Sequence, residues 1–372
     1  MVWHSLLKYG YGSFQFDIYG YYFSIYYFFQ RIQIADTKKL RLVTNKQIRL
    51  TFVHQPLFQE EQVLLEILQE YFDIELVETN PDYVIGTPLR PMKQFDYPDA
   101  VKIMFYGENI APNFSTCDYA IGFDFMSFGD RYLRLPLYCF RKDFEKVLKN
   151  NKDYLDYVAL TKRKFCCFVV SNGHRADPIR TEFFHALCDY KKVDSAGRYM
   201  NNMGGGYLED KSSFVAGYKF NIAFESSCVD GYTTEKIIEP MAVNTIPIYW
   251  GNKLLERDFN PASVINLCDY ASIKDCIDFI KALDSNDELY IEKLREPWML
   301  SEQNYKNYKE LLRVFFDNIF SKPKEKAFYL SPYGYQAFYR WELLRAKEVL
   351  PHSEWLERYL HFCNKITLLW KK

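Results

Sequence analysis

Short apolar runs that alternate with segments of helical periodicity constrain this chain more than any other feature. The run QIRLTFV (47–53) is typical of a strand, and EEQVLLEILQEYF (60–72) has apolar residues at helical spacing. The runs DYVIG, VKIMFYG and DYAIGF follow, each with a glycine at or near its end. Strands that alternate with helices are typical of βαβ units and a parallel sheet. The pattern predicts an α/β domain of Rossmann-like type over residues 47–150.

A second series of the same kind begins after a charged connection at residues 141–164. FCCFVVS (165–171) has the composition of a buried strand, and DPIRTEFFHALCDY (177–190) predicts a helix with Asp177 as its N-cap and Pro178 at its first position. We therefore expect a second Rossmann-like domain over residues 151–326 and a central cleft between the two domains. Its other predicted strands are YKFNIAFES, TIPIYWG and SVINLCD, and its other predicted helices are TTEKIIEPMAV, ASIKDCIDFIKAL and KNYKELLRVFFDNIF.

The two ends of the chain have a different composition. Residues 1–46 form an aromatic extension whose longest uncharged stretch, IYGYYFSIYYFFQ, is shorter than the about 20 residues that a membrane-spanning helix needs. Residues 327–372 predict a helical tail rich in aromatic and basic residues, with seven Lys and Arg against four Glu in residues 331–372. A peripheral membrane anchor and an ordinary packing helix both fit this tail.

The overall charge and the cysteines narrow the class of protein. A chain of 372 residues with a net charge of −1 has no broad positive field for nucleic acid, so any anion site must be local. The nine cysteines show no zinc-ligand spacing, and no secretory signal is recognisable. We expect free thiols in the cytoplasm, with contact to the inner face of the membrane left open.

Two predicted helices begin with a cation, which the helix dipole disfavours unless an anion lies nearby. Lys236 follows the helix start at Thr233 and Thr234, and Arg180 lies in the first turn of the helix at Asp177. Both helices follow strands at the edge where open α/β sheets bind ligands. The free N–H groups of the helix start and these side chains predict a diphosphate site. A solvent-exposed cation at each helix start is the alternative.

A leaving diphosphate needs its charge neutralised, and some enzymes use a divalent metal held by an Asp-x-Asp motif. The sequence contains no such motif and no His or Cys cluster with ligand spacing. We expect the helix starts and cations to supply this stabilisation instead. The prediction is therefore that no metal is required, while a stimulatory effect of a divalent ion stays open.

The chemistry also needs a base, and Glu108 is the candidate. It lies in FYGENIAPNF (105–114), just after a predicted strand of the first domain, so it would face the cleft. A carboxylate there could take the proton of an acceptor hydroxyl. The alternative is a loop glutamate that caps a turn.

Several separated motifs carry a family resemblance. The segment 218–251, YKFNIAFESSCVDGYTTEKIIEPMAVNTIPIYWG, closely resembles the signature of the α-1,3/4-fucosyltransferases. FYGENIAPNF, DYAIGFD and VVSNGHRADPIR resemble further blocks of the bacterial members, in the same order. The resemblance covers about residues 47–320. It implies a GT-B fold and inverting transfer of L-fucose from GDP-β-L-fucose to the 3-hydroxyl of N-acetylglucosamine, in N-acetyllactosamine-type glycans with Lewis-type products.

The resemblance also implies roles for individual residues. Glu108 resembles the general base, and Ser226 stands where the family has an asparagine, so the contacts to the donor are expected to differ there. The other residues matched to the donor site are Arg180 and Lys236 for the diphosphate, Glu235 for ribose or fucose hydroxyls, and Tyr232, Ser195 and Arg198 for the donor pocket.

The sequence alone leaves three alternatives to this predicted function. The chain could be a GT-B transferase that uses another nucleotide sugar, or it could form the α-1,4 linkage. It could also be a non-catalytic carbohydrate-binding protein that kept the fold. Binding of GDP-fucose, GDP-mannose and UDP-galactose would separate the transferases, and glycan binding without release of GDP would favour the third.

Overall fold

The structure is a computed structural model that describes residues 46–54, 56–88, 93–150, 152–171, 173, 176–205, 208–300 and 307–330. The predicted N-terminal extension lies outside the described residues except for residue 46, and the predicted C-terminal tail lies outside them except for residues 327–330. No helix in the described ranges combines the length and the apolar character that crossing a membrane requires.

The first sheet has six parallel strands in the order β2-β1-β3-β4-β5-β6. The predicted strands of the first series are confirmed as β1, β3, β4 and β5, whereas β2 and β6 are too short and too polar for the sequence pattern to have indicated them. Both of these unpredicted strands lie at the sheet edges. The strands are β1 Ile48–Phe52, β2 Ile74–Leu76, β3 Tyr83–Gly86, β4 Val101–Phe105, β5 Tyr119–Gly122 and β6 Tyr132–Arg134.

The second sheet has five parallel strands in the order β11-β10-β9-β7-β8. The chain leaves β7 toward β8 on one side and returns to β9 on the other, so a topological switch point lies between β7 and β9. Ligands of open α/β sheets bind beyond the carboxyl ends of the strands at such a point. The strands are β7 Lys164–Phe168, β8 Val193–Ser195, β9 Tyr218–Phe224, β10 Ile246–Trp250 and β11 Ile265–Asn266.

Ten α-helices are described, and they cover the predicted helical segments of both series. The connection at 141–164, for which no helix was predicted, contains α2 and α3. The segment predicted as a strand at SVINLCD forms a strand of two residues followed by a 3-10 helix at Leu267–Asp269. The helices are α1 Gln59–Tyr71, α2 Lys142–Leu148, α3 Tyr157–Thr161, α4 Ile179–Tyr190, α5 Lys211–Ala216, α6 Glu235–Ala242, α7 Ile273–Ser285, α8 Asp287–Arg295, α9 Tyr308–Phe320 and α10 Lys324–Ala327.

Helix α9 lies within the range predicted for the second domain, but its aromatic side chains pack on the first sheet. The ring of Phe320 lies 5.1 Å from that of Phe72 and 4.7 Å from that of Tyr83. Phe315 contacts Tyr119 with a centroid distance of 6.1 Å. Such edge-to-face aromatic contacts add stability beyond the apolar area that they bury. The chain therefore returns from the second sheet to complete the core of the first.

A buried ion pair joins the two halves. Both guanidinium nitrogens Nη1 and Nη2 of Arg134, at the end of β6, donate to the Asp258 carboxylate at 2.9 Å. Asp258 is completely buried, and Arg134 is 12% exposed. Beside this pair, the rings of Tyr138 and Phe259 lie 5.0 Å apart. A bidentate pair of this kind fixes geometry as well as charge, so it orients one sheet relative to the other.

Candidate active site

Glu225 stands at the carboxyl end of β9 and is completely buried. Its Oε1 accepts the backbone N–H of Thr234 at 2.7 Å. The Thr234 hydroxyl donates to the same carboxylate, at 2.9 Å from Oε1 and 2.8 Å from Oε2. These bonds hold the start of α6 against the end of β9, because Thr234 is the residue that precedes the helix.

Lys236 lies in the first turn of α6 between two carboxylates. Its Nζ is 3.3 Å from Glu225 Oε2 and 3.2 Å from Glu235 Oε1, and it donates to the Thr234 hydroxyl at 2.9 Å. Burial alone would lower the pKa of Lys236, but these carboxylates raise it above its ordinary value. An anion does lie at this helix start, and it is a carboxylate of the same chain. Contact of Lys236 with a diphosphate stays a prediction.

The pKa values of the two carboxylates around Lys236 are shifted in opposite directions. Burial raises the pKa of Glu225, against the opposing effect of the Lys236 ammonium. For Glu235 burial also favours the neutral form, but Lys236 and the residue's own backbone N–H lower the pKa to about 2. Glu235 is therefore a stable carboxylate at neutral pH, and the cluster holds its charges in a fixed arrangement.

Arg180 extends this cluster from the neighbouring helix start. It is 2% exposed, and its Nη2 donates to the carbonyl oxygen of Phe224 at 2.8 Å. Burial lowers the pKa of Arg180, and the nearby Glu225 and Tyr232 oppose that shift. Arg180 and Lys236, predicted separately from two helix starts, are thus electrostatic neighbours of one buried carboxylate.

The start of α4 is fastened to the end of β9 by the backbone. The N–H of Asp177 donates to the carbonyl of Ser226 at 2.9 Å, and the Asp177 carboxylate accepts the N–H of Ile179 at 3.0 Å. The Asp177 carboxylate therefore accepts a backbone N–H at the helix start, but the N-cap residue is Pro178, one residue later than predicted. Pro178 has helical dihedral angles, although Ile179 is the first helical residue, a difference of one residue that is usual at helix ends. Ser226 is half-buried at this junction.

Tyr232 connects the cluster to the first half of the molecule. Its ring packs edge-on against Phe123 with a centroid distance of 5.1 Å. Burial raises the pKa of Tyr232 to about 12, with Glu225 and Glu108 adding to the shift and Lys236 and Ser226 opposing it. The phenol thus lies within electrostatic range of Glu108 on one side and of Glu225 on the other.

The loop before Tyr232 approaches the first half closely. Gly231 has a φ of +85°, and a Cβ at this position would lie 2.6 Å from the Phe123 carbonyl oxygen, so only glycine fits. The Gly231 N–H donates to Asn252 Oδ1 at 2.8 Å, and Asn252 Nδ2 donates to the Thr233 hydroxyl at 3.0 Å. Asn252 is fully buried, so it holds this loop in place from beneath.

Glu108 lies in an exposed loop that follows β4. Its neighbour Asn109 donates from Nδ2 to the Ser227 hydroxyl at 2.6 Å, across the two halves. The Glu108 carbonyl accepts the N–H of Ile110 at 2.7 Å. The loop that carries the predicted base therefore contacts the loop that follows Glu225, which brings the two predicted parts of the site together.

The remaining predicted donor residues lie beyond this cluster. Ser195, at the end of β8, is fully buried, and its hydroxyl donates to the Tyr199 carbonyl at 3.4 Å. Its N–H donates to Asn202 Oδ1 at 2.8 Å, so Ser195 shapes the turn after β8. Arg198 is exposed in that turn. Their donor contacts stay predictions.

Three supporting residues were not predicted as part of the site, namely Glu225, Thr234 and Asn252. Glu225 could have been found, because a charged residue directly after the apolar strand FNIAF is unusual unless it is paired. Thr234 was predicted only as part of the helix start, and Asn252 gave no comparable signal. Among the residues that the structure describes, no group of three His, Cys, Asp or Glu side chains is arranged to hold a metal ion.

Comparison with protein families gives two consecutive matches. Residues 49–141 match the N-terminal domain of the alpha-(1,3)-fucosyltransferase FucT, and residues 159–310 match the C-terminal part of glycosyltransferase family 10 (fucosyltransferase). The gap between the two matched ranges falls in the connection between the sheets, so each family match covers one Rossmann-like half.

Individual relatives agree with these matches. The alpha-(1,3)-fucosyltransferase FucT of Helicobacter pylori is 34% identical over 275 residues, which cover 64% of this chain and 56% of the relative. The chain spans about half the length of the curated relatives that it matches. A crystal structure of alpha1,3-fucosyltransferase with GDP-fucose is 31% identical with a TM-score of 0.63, covering 74% of this chain and 91% of that one. One with GDP has a TM-score of 0.64 at 31% identity, over 76% and 93% of the two chains. The predicted GT-B arrangement of two Rossmann-like sheets is confirmed.

Proposed function

The chain belongs to the α-1,3-fucosyltransferase family, and from this premise we propose that it transfers L-fucose from GDP-fucose to a glycan hydroxyl with inversion. One observation carries the proposal. The buried cluster of Glu225, Lys236 and Arg180 lies at the switch point of the second sheet, and Asn109, next to Glu108, donates to Ser227 on the loop that follows Glu225. The proposed base thus lies on a loop that adjoins the two proposed diphosphate-binding cations, at the junction of two Rossmann-like halves.

The donor in this proposal is GDP-fucose. Its support is the likeness to solved fucosyltransferases that hold GDP-fucose and GDP, at 31% identity. Arg180 and Lys236 would bind the diphosphate, and Glu235 would accept hydrogen bonds from ribose or fucose hydroxyls. Tyr232, Ser226, Ser195 and Arg198 would complete the donor pocket.

The proposed reaction is a direct displacement. Glu108 takes the proton from the acceptor hydroxyl while the oxygen attacks C1 of fucose from the face opposite GDP. The bond from C1 to the diphosphate oxygen breaks, so the β-linked donor yields an α-fucoside and GDP. Lys236 and Arg180 stabilise the negative charge that leaves with GDP. Because carboxylates and a carbonyl already hold these cations in place, they need no reorganisation during the reaction.

The acceptor that we propose is the 3-hydroxyl of N-acetylglucosamine in an N-acetyllactosamine-type glycan, which would give Lewis-type products. This assignment rests on the motif resemblance of FYGENIAPNF and of segment 218–251. Transfer to a 4-hydroxyl would use the same base and the same donor site, with the acceptor ring turned in the cleft.

We propose that the reaction requires no divalent metal, because the side chains of Arg180 and Lys236 would stabilise the charge that develops on the diphosphate. We also propose a cytoplasmic location, because the eight cysteines in the described part of the chain are free thiols. Membrane contact through the tail remains a proposal on composition alone.

Incubating the protein with GDP-fucose and N-acetyllactosamine, with and without EDTA, tests the proposed function. Mass spectrometry should show one added fucosyl group and equal product in both samples. GDP-mannose and UDP-galactose serve as control donors and should give no product. Transfer from a control donor alone would contradict the donor assignment, and loss of product in EDTA would contradict the metal-independent scheme.

A further inference from the structure

Two accessible thiols contact each other beside the loop that joins β9 to α6. Cys228 is half-buried on this loop, and Cys268 is exposed in the 3-10 helix Leu267–Asp269 that follows β11. Their thiol groups form a side-chain hydrogen bond with each other. Among the other cysteines that the structure describes, only Cys188 is not buried. Accessible thiols in contact can be oxidised to a disulfide, whereas buried thiols are inert.

Cys268 is held next to the buried carboxylate of the candidate site. Its sulfur accepts the backbone N–H of Gly251. A Cβ on Gly251 would lie 2.6 Å from both Cβ and Cγ of Glu225, so the backbone at Gly251 passes directly against the Glu225 side chain. The Glu225 N–H in turn donates to the Trp250 carbonyl oxygen at 2.8 Å. Cys268 is therefore attached to the hydrogen-bonded end of the second sheet and is the fixed partner of the pair.

Cys228 belongs to a loop that is central to the proposed site. This donor loop, residues 226–234, includes two of the residues proposed to bind the donor and ends at the start of α6. Directly before Cys228, the Ser227 hydroxyl accepts a hydrogen bond from the Asn109 side chain of the first half at 2.6 Å. A disulfide brings its two sulfur atoms to about 2 Å from each other, which is closer than hydrogen-bonded thiols. Because Cys268 is fixed to the sheet, we expect the donor loop to shift toward β11 when this bond forms.

The charges around the pair support Cys228 as the thiol that reacts first. Burial raises the pKa of both thiols, that of Cys268 to about 11, so both are protonated at neutral pH and the reduced pair is the resting form. The Lys253 ammonium opposes this shift of the pKa of Cys228, whereas Asp230 and Asp177 add to it. A cation beside a thiol favours the thiolate, which is the nucleophile in thiol oxidation.

We propose that Cys228 and Cys268 form an oxidation site, at which a hydroperoxide converts the two thiols to a disulfide that displaces the donor loop. The Cys228 sulfur attacks the O–O bond of the hydroperoxide, which leaves a sulfenic acid on Cys228 and releases an alcohol, or water from hydrogen peroxide. The Cys268 sulfur then displaces the sulfenic hydroxyl group as water, so the two thiols are oxidised and the hydroperoxide is reduced. A dithiol reductant reverses the bond by exchange. Weaker donor binding in the oxidised protein rests on the proposed function, whereas formation of the disulfide does not.

Tryptic mapping without reduction, after treatment of the protein with hydrogen peroxide, tests the disulfide. Residues 220–236 and 258–274, each a tryptic peptide with a single cysteine, should be recovered as one linked pair. Dithiothreitol should separate the two peptides, and neither Cys228→Ser nor Cys268→Ser should give the pair. Cys188→Ser, at the other accessible thiol, on α4, is the matched control and should still give it. Absence of the linked pair from the treated wild-type protein would overturn the proposal.

Calorimetry with GDP-fucose and amide hydrogen exchange test the effect on the donor loop. In the oxidised wild-type protein the Kd for GDP-fucose should rise about tenfold, as expected for loss of one or two hydrogen bonds to the donor. Exchange within residues 226–234 should change on oxidation, and peroxide-treated Cys268→Ser should match the reduced wild-type protein in both measurements. A linked pair that leaves exchange and Kd unchanged would overturn the displacement of the loop. If the reduced protein did not bind GDP-fucose, the proposed function would fail, while a linked pair with altered exchange would still support the oxidation site.

Discussion

The carboxyl edges of the two sheets hold their charged residues in opposite ways. On the second sheet Glu225 is completely buried, and the side chains of Lys236 and Glu235 are 24% and 22% exposed. On the first sheet Glu108 lies on an exposed loop whose neighbour Asn109 reaches across to Ser227. The groups proposed for donor binding are therefore also part of the folded core, whereas the proposed base is not. Substitution of Glu108 on the first sheet should therefore change catalysis without changing stability. Substitutions of the buried groups on the second sheet should change both.

The largest effect on kcat should come from substitution of Glu108, on the exposed edge of the first sheet. Glu108→Gln removes the base and keeps the shape, so it should lower kcat by about 10²–10⁴, the usual contribution of general base catalysis. GDP-fucose binding and the melting temperature should stay unchanged, because the side chain is exposed. Calorimetry with GDP-fucose and a thermal scan check both points.

Asp278→Asn, at an exposed carboxylate of α7, is the matched control and should leave kcat unchanged. Undiminished transfer by Glu108→Gln would remove Glu108 from the mechanism.

Substitution of Glu225, on the buried edge of the second sheet, should mainly lower the free energy of unfolding. Glu225→Ala removes the acceptor of the Thr234 N–H and leaves Lys236 without its buried partner. Removal of one member of a buried pair typically costs about 3–5 kcal/mol in the free energy of unfolding. Urea denaturation measures this loss. Asp278→Asn, at an exposed pair, should leave the free energy of unfolding nearly unchanged. Equal losses for the two variants would contradict the structural role of Glu225.

Substitution of Lys236 should lower both the rate of transfer and the stability of the fold. Lys236→Ala should reduce transition-state stabilisation by about 2–4 kcal/mol, by analogy with the loss of one oxyanion donor, and should also destabilise the fold. The double variant Glu225→Gln with Lys236→Met removes both charges together, so stability should recover in part while kcat/KM stays low. If kcat/KM recovered with stability, Lys236 would act only through the fold and not on the diphosphate.

The Glu235 carboxylate should make the fold sensitive to acid. Its pKa is about 2 in the folded protein, against an ordinary value of 4.5. A lowered pKa stabilises the folded state above pH 4.5, and this contribution is lost as the pH falls toward 2. Glu235→Gln should therefore flatten the decline of unfolding free energy over that interval. Urea denaturation at a series of pH values compares the two proteins, and parallel curves would refute the assignment.

The smallest effect should come from loss of the hydrogen bond between Asn109 and Ser227, which joins the two edges. Asn109→Ala removes one hydrogen bond at an exposed position, so it should cost about 0.5 kcal/mol in the free energy of unfolding. Because the contact orients the loop of Glu108, kcat should fall slightly more than stability predicts. Ser227→Ala removes the same bond from the other side and should match it. A cycle of the two variants that proved additive would show that the contact contributes nothing.

Much of the fold was predictable because its signals are local. Apolar runs and helical spacing identified the central strands and the main helices, since each pattern lies within one element. The edge strands β2, β6 and β8 were missed because strands of three residues carry too little pattern. The packing of α9 on the first sheet was missed because chain order gives no information about a return across domains.

The candidate site divides in the same way. The positions of Glu108, Arg180 and Lys236 after strands could be read from the sequence, because parallel strands end at one edge of a sheet. The partner of Lys236 could not, since a cation at a helix start is equally compatible with solvent, a ligand or a carboxylate. The structure brings Glu225 to it, and Glu225 is eleven positions earlier in the chain.

The α/β class, the order of the two Rossmann-like halves and the strand ends that carry charge could all be predicted from the amino-acid sequence. These follow from periodicity and residue type within short segments. The neutralisation of Lys236 by a buried carboxylate, and the contact of Asn109 with Ser227, 118 positions away in the chain, became evident only from the three-dimensional structure. The first pairing depends on how α6 packs against β9 and the second on how the two halves pack against each other, and such packing leaves no periodic trace in the sequence.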